Sequence, residues 1–246
     1  MKHTSLARIC GIALLAGGFV PSVPGQTSSV AADRIVVSGF EPFGGRSENA
    51  SWTLVQEIKK AFPSILDRQI PVVWGAPLKA IAAEKNSPDV WIAFGEGTPA
   101  FQIEVLAHNR RGGFPDNQSR TPSAPLIVQD GAAELKNKIA AAALAARLTA
   151  AGFPTRESTN AGAYLCEEML YSLLHFQARQ PDGFRLVLFV HVPVLGKAVA
   201  RAPAGTVRGS VTQKVDAAYL AAFGRQLFAS LQEIHQIRLS ENSAAR

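Results

Sequence analysis

Three side chains far apart in the chain, Cys166, His191 and Glu104, are of the types that together build an acyl-transfer site. A thiol attacks a carbonyl as its thiolate, so it needs a base, and the base needs a partner that holds one tautomer. Cys166 follows the turn-like STNAG of residues 158–162 and falls just inside the start of a predicted helix. Unpaired N–H groups and the positive end of the dipole favour an anion there. A core cysteine fits the same position, because Leu165, Met169, Leu170 and Leu173 lie close by, and spacing alone leaves the two readings level. His191 closes the apolar run FRLVLFVHVP. Catalytic groups in open α/β sheets gather at the carboxyl ends of strands, although a lone histidine satisfied by backbone hydrogen bonds is the competing reading. Glu104 sits between Ile103 and Val105 in an apolar segment. Burying an acid there is costly unless it is paired, and strand alternation could equally turn it to solvent.

The elements that must position these groups follow from periodicity. Short β-branched or apolar runs at 34–39, 69–74, 89–95, 101–107, 155–159 and 184–192 predict strands. Helical spacing predicts helices at 51–62 (stopped by Pro63), 77–85, 132–151 (closed by Gly152 and Pro154), 163–178 and 211–237. Strands alternating with helices imply a parallel or mostly parallel sheet covered on both faces. Residues 109–125, crowded with Arg, Gly, Pro, Asn and Ser, predict a long surface loop of the kind that is often functional. The turn FEPFGG at 40–45 matches neither the P-loop nor the GxGxxG spacing, so a phosphate-binding role is weakly supported.

Composition bounds the rest. The 246 residues, 47% hydrophobic and 18% charged, fit one globular domain without repeats or linker-like segments. Lys2, Arg8 and the apolar run 9–20 read as a signal peptide, with cleavage after Gly25 or Ala32, so residues 1–32 form a leader and 33–246 the mature domain. The run is too short to anchor in a bilayer, and an exported, periplasmic or secreted protein with no stable membrane insertion is expected. The formal charge of +6 falls by two to +4 without the leader, and the basic residues are scattered, which argues against a nucleic-acid partner. Cys10 lies in the leader, leaving Cys166 as a lone thiol with no internal disulfide partner. In an oxidising compartment that thiol is open to oxidation or cross-linking.

The segments SGFEPFGGRSENASW, STNAGAYLCEEMLYSLLH and LFVHVP, in that order and spacing, resemble the pyroglutamyl peptidase I family, cysteine peptidases that remove N-terminal pyroglutamate. PDN at 115–117 and PLIVQDG at 125–131 extend the resemblance from about Arg34 to the last helix. It implies a single-domain, three-layer α/β/α sandwich with a mostly parallel central sheet. It implies a Cys166, His191, Glu104 triad working through a thioacyl-enzyme without metal or organic cofactor, on N-terminal pyroglutamyl peptides or small lactam-like substrates. Phe40 and Phe43 would line the lactam pocket, Asn49 would border it, and self-association is expected because family members are often oligomeric. The chain departs from the family pattern at several positions: Glu96 stands for a glutamine, Ala50 for a proline, Val105 and Gly113 for arginines, and Glu167 for an asparagine. Glu96 therefore joins the substrate-binding candidates, and Arg110 or Arg111 could supply a replacement charge. A pseudoenzyme that keeps only the lactam pocket is the alternative reading.

Overall fold

The computed structural model describes residues 32–84, 87–179, 183–201 and 211–240, which fall in one packed unit; the expected leader, up to residue 31, lies outside the described residues. Its centre is a six-stranded sheet built from β1 (Ile35–Phe40), β2 (Leu66–Ile70), β3 (Val90–Thr98), β4 (Phe101–Glu104), β7 (Thr155–Ser158) and β8 (Leu186–Pro193), in the order β2-β1-β3-β8-β4-β7. All neighbours are parallel except β4 and β8, which run antiparallel. β1 and β8 are buried along their whole length, as continuous apolar strands covered on both faces must be, while the edge strand β7 carries the exposed Arg156 and Glu157.

Two cores result. One face packs Val37, Ile92, Phe94, Ile103 and Leu188 against α1 (Ala50–Ala61), α3 (Ala141–Ala150) and α5 (Ala217–His235). Here Phe101 stacks on Phe223 with centroids 3.8 Å apart, a pairing worth about 0.5–1.5 kcal/mol beyond the area it buries. The opposite face packs Val36, Trp91, Ala93, Val187 and Phe189 against α2 (Ala76–Ala82) and α4 (Leu165–Arg179). Helix α1 starts where Asn49 accepts from the Ser51 N–H (3.0 Å), and α5 where Asp216 accepts from Tyr219 N (2.8 Å). Gly39 is needed because a Cβ there would lie 2.6 Å from the Ser51 carbonyl oxygen, and β1 could no longer lie against the first turn of α1.

Four sequence expectations shift. The second strand begins at Leu66 and ends at Ile70, where Pro71, lacking an N–H, stops the ladder; Val72 to Trp74 form the turn into α2. The strand expected at 101–107 breaks at Val105 into β4 and β5 (Leu106–His108). The helix expected from 132 begins only at Ala141, because residues 134–136 instead form β6 (Glu134–Lys136), antiparallel to β5. Tertiary pairing there overrides an alanine-rich helical pattern. The last helix likewise begins at Ala217, preceded by β10 (Val211–Lys214), which pairs antiparallel with β9 (Ala198–Arg201). Residues 109–125 hold no regular element, as expected of the loop.

Candidate active site

Helix α4 approaches the carboxyl edge of the sheet through the turn 158–162, and Cys166 is its second residue. The sulfur rests directly on β3 at Gly95. A Cβ at that position would lie 2.6 Å from Cys166 Sγ and 3.2 Å from His191 Cδ2, so only glycine admits the sulfur and the imidazole side by side. In β8, His191 stands opposite Gly95 on one side and Gln102 on the other. Its Nδ1 hydrogen-bonds Glu104 Oε1 at 2.8 Å, which leaves Nε2 for the Cys166 sulfur that the ring also bonds. Glu104 is fully buried and His191 is 7% exposed. Burial opposes a charged imidazole, but the Cys166 sulfur and the Glu104 carboxylate outweigh it, and the ring's pKa is pushed up to about 10. Strand β4 thus sends Glu104 inward, as pairing requires and as alternation by itself left open.

These groups open on a cleft of about 330 Å³. Its apolar wall is formed by Phe40, Phe43, Val72, Tyr164 and Leu165, and its polar end by Gln102 and Asn160 beside His191. Asn49 and Glu96 also line it, but both groups are committed to the wall itself. The Asn49 amide accepts from Ser51 N and Oγ and donates to the Glu41 carbonyl (3.0 Å). Glu96 Oε2 accepts from the Ala50 N–H at 2.6 Å, and Oε1 pairs with Arg46, whose guanidinium lies 4.5 Å from the Phe43 ring centroid. The carboxylate that replaces the family glutamine therefore meets a cation and the first turn of α1, and holds Phe43 in place through Arg46.

The second acidic departure, Glu167, resolves in the same way. Glu167 turns away from the thiol: Oε1 accepts from the His108 N–H at 2.7 Å and Oε2 lies 3.4 Å from His108 Nδ1. Burial raises its pKa, against the opposing pull of His108. Arg111 is bound to buried Glu168 (2.6 Å) and to the Leu126 carbonyl, tying the long loop to α4. Arg110 stays exposed and reaches Asn160 Oδ1 at 3.4 Å on the cleft rim. The loop's PDN is structural: Asn117 Nδ2 donates to Glu41 Oε1 (3.0 Å) and to the Pro42 carbonyl (2.8 Å), joining this loop to the first one. Among the described residues no group of three His, Cys, Asp or Glu side chains is arranged to hold a metal ion. Sequence reasoning passed over Gly95, Gln102 and Tyr164. The glycine that ends the run 89–95 was the available signal for the first, but its role as the seat for sulfur depends on a contact from another element.

An α/β/α sandwich whose thiol, imidazole and buried carboxylate converge at the carboxyl edge of the sheet defines a hydrolase of the cysteine class. The pyroglutamyl peptidase family profile matches residues 33–224, and the chain belongs to that family. A pyrrolidone-carboxylate peptidase of Escherichia fergusonii is 30% identical over 206 residues, covering 76% of this chain and 94% of the relative. Pyrrolidone-carboxylate peptidase 1 of Photorhabdus laumondii is 32% identical over 181 residues, covering 69% and 82%. The crystal structure of the pyrrolidone carboxyl peptidase of Fervidobacterium islandicum superposes with a TM-score of 0.69 at 25% identity, covering 81% of this chain and 98% of that one. The fold is shared as well with the pyroglutamyl peptidase I of Bacillus amyloliquefaciens (TM-score 0.65, 23% identity, 81% and 95% covered).

Proposed function

We propose that this chain is a cysteine peptidase that hydrolyses the amide bond after an N-terminal pyroglutamyl residue. The observation that carries the reading is the hydrogen-bonded line from Glu104 through His191 to the Cys166 sulfur, seated on Gly95 at the floor of an apolar cleft. A pyroglutamyl ring is flat, small and uncharged, which suits walls made by Phe40, Phe43 and Tyr164.

The steps follow from the placement of the groups. His191, charged at neutral pH, already holds the Cys166 proton at Nε2, and the thiolate adds to the pyroglutamyl carbonyl carbon. N–H groups in the first turn of α4, which lack intrahelical acceptors, receive the developing oxyanion. As the C–N bond breaks, the imidazolium gives its proton to the leaving amine, leaving a thioester on Cys166. Water, deprotonated by His191, then attacks the thioester and releases free pyroglutamate. Glu104 holds the ring with Nδ1 protonated and stabilises its positive charge.

The direct test is release of aminomethylcoumarin from its pyroglutamyl amide by the purified protein; no release overturns the reading. The pH profile tests the assignment of roles. The imidazolium is the proton donor, so kcat/KM is expected to fall as pH rises through about 10. Glu104→Gln removes the charge that helps to raise this pKa, so the alkaline limb should move down by about one unit or more. A limb unmoved in Glu104→Gln assigns the ionisation to another group.

Export belongs to the same proposal. Lys2, Arg8 and the apolar run 9–20 support a cleaved leader, and the family match begins at residue 33, just beyond it. Among the described residues no helix is long and apolar enough to cross a membrane.

A further inference from the structure

The register of the sheet places four residues in one row across four strands: Gly95 in β3, His191 in β8, Gln102 in β4 and Arg156 in β7, each directly opposite the next. Paired residues on adjacent strands point to the same face. The row therefore runs from the seat of the sulfur, to the imidazole, to a cleft-lining amide, to a cation. Gln102, with its amide turned to satisfy both groups, accepts from Arg156 Nε (3.1 Å) and from its Nη2. Two of the five guanidinium N–H groups are thereby used to orient the head, and the charge is left exposed at the edge. Arg110 comes to the same end of the cleft from the long loop, bonding Asn160, two residues past β7. Among the described residues no carboxylate lies within ion-pair distance of either guanidinium. Nearby acids are otherwise engaged: Glu104 is buried against His191, the buried Glu167 carboxylate feels the Arg110 charge but is held by His108, and Glu157 is on the opposite face of β7, one residue along.

We propose that Arg156 and Arg110 form a subsite for a carboxylate on the leaving peptide, so that the enzyme prefers pyroglutamyl peptides whose leaving part is short or acidic. The inference rests on the peptidase reading above, because that reading fixes which side of the cleft the leaving amine occupies. The amine must lie at His191, which protonates it, and the chain beyond it must continue away from the Phe40–Phe43 wall. The row from His191 to Arg156 covers two strand spacings, about 10 Å, which is the span of about three extended residues. A C-terminal carboxylate or an acidic side chain one to three residues past the scissile bond falls within that span. Gln102 and Asn160 line the path with neutral hydrogen-bonding groups.

The test compares kcat/KM for pyroglutamyl-Ala-Glu with that for pyroglutamyl-Ala-Lys amide, using the protein purified from expression of the full chain. Exposed ion pairs are weak, so the expected ratio in favour of the acidic peptide is about fivefold or more at about 0.02 M NaCl. It should shrink toward unity at about 0.5 M NaCl, where the Debye length is only a few ångströms. Arg156→Gln should lower the low-salt ratio, Arg156→Lys should keep most of it, and Arg110→Gln combined with Arg156→Gln should bring it near unity. A wild-type ratio below about two at low salt, or a larger ratio that survives high salt, overturns the subsite while leaving the peptidase reading intact. The salt series needs no variant to fold. Failure to cleave either peptide and the coumarin amide overturns the underlying reading and the subsite together.

Discussion

Cys166→Ala is expected to lower kcat/KM for a pyroglutamyl amide by at least about 10³-fold, because the thiolate is the nucleophile that attacks the amide in the proposed sequence of steps and the covalent route closes without it. The thermal midpoint should stay within a few degrees of wild type, since the half-buried side chain only adjoins the apolar cluster and exchanging a thiol for a hydrogen removes little volume. That contrast separates a nucleophile from a packing residue: a core cysteine would lose stability and leave turnover of the folded fraction unchanged. The chain has two cysteines, Cys10 and Cys166, and Cys166 is the only thiol in residues 33–246. One alkyl group per chain from iodoacetamide should therefore abolish activity in proportion to labelling. Activity that persists in a fully labelled protein, or in Cys166→Ala, removes Cys166 from the chemistry.

Gly95→Ala is expected to lower kcat by about 10²-fold or more, an effect of geometry alone. Ordinarily alanine in place of a strand glycine is neutral or mildly favourable, since it restricts the unfolded chain. Here the added methyl would lie 2.6 Å from Cys166 Sγ and 3.0 Å from Phe189 Cζ. Carbon and sulfur need about 3.5–4 Å, so the sulfur must move by about 1 Å, away from the sheet and from His191. The ring cannot follow it, because Nδ1 is held by Glu104 at 2.8 Å. The loss should fall on kcat more than on KM, because the lactam walls at Phe40, Phe43 and Tyr164 lie on other elements. Alkylation of Cys166 should also respond differently to pH from wild type, as its contact with His191 is broken. A Gly95→Ala variant that keeps more than half of the wild-type kcat would show that the sulfur is not seated on the strand during catalysis.

Much of this site was legible before the fold. Cys166 after STNAG, His191 at the end of an apolar strand and Glu104 within one are local patterns, and local patterns carry information about type and element. Glu104 shows the limit. Its sequence neighbours are apolar in either orientation, and the decision to point inward is made by the antiparallel pairing of β4 with β8, which brings its carboxylate to His191 from 87 residues away. Glu167 and Glu96 show the same limit from the other direction. In sequence one is an acid beside the thiol and the other an acid beside the pocket, yet His108 draws the first away, and Arg46 with the Ala50 N–H holds the second in the wall. The alanine-rich stretch before Ala141 had the composition of a helix, but β5 needed a partner strand.

The sequence by itself determined which chemistry was available: one thiol beyond the first 32 residues, a histidine and an acid on predicted strands, an alternating α/β pattern, and the motif order of the family. These depend on residue type and short-range periodicity. Tertiary structure alone decided that Gly95 makes room for the sulfur, that Glu104 meets His191 rather than water, and that Arg156 lies two strands beyond the imidazole in the same row. Each of these depends on register between strands distant in the chain, and register is set by the packing of the whole sheet rather than by any one segment.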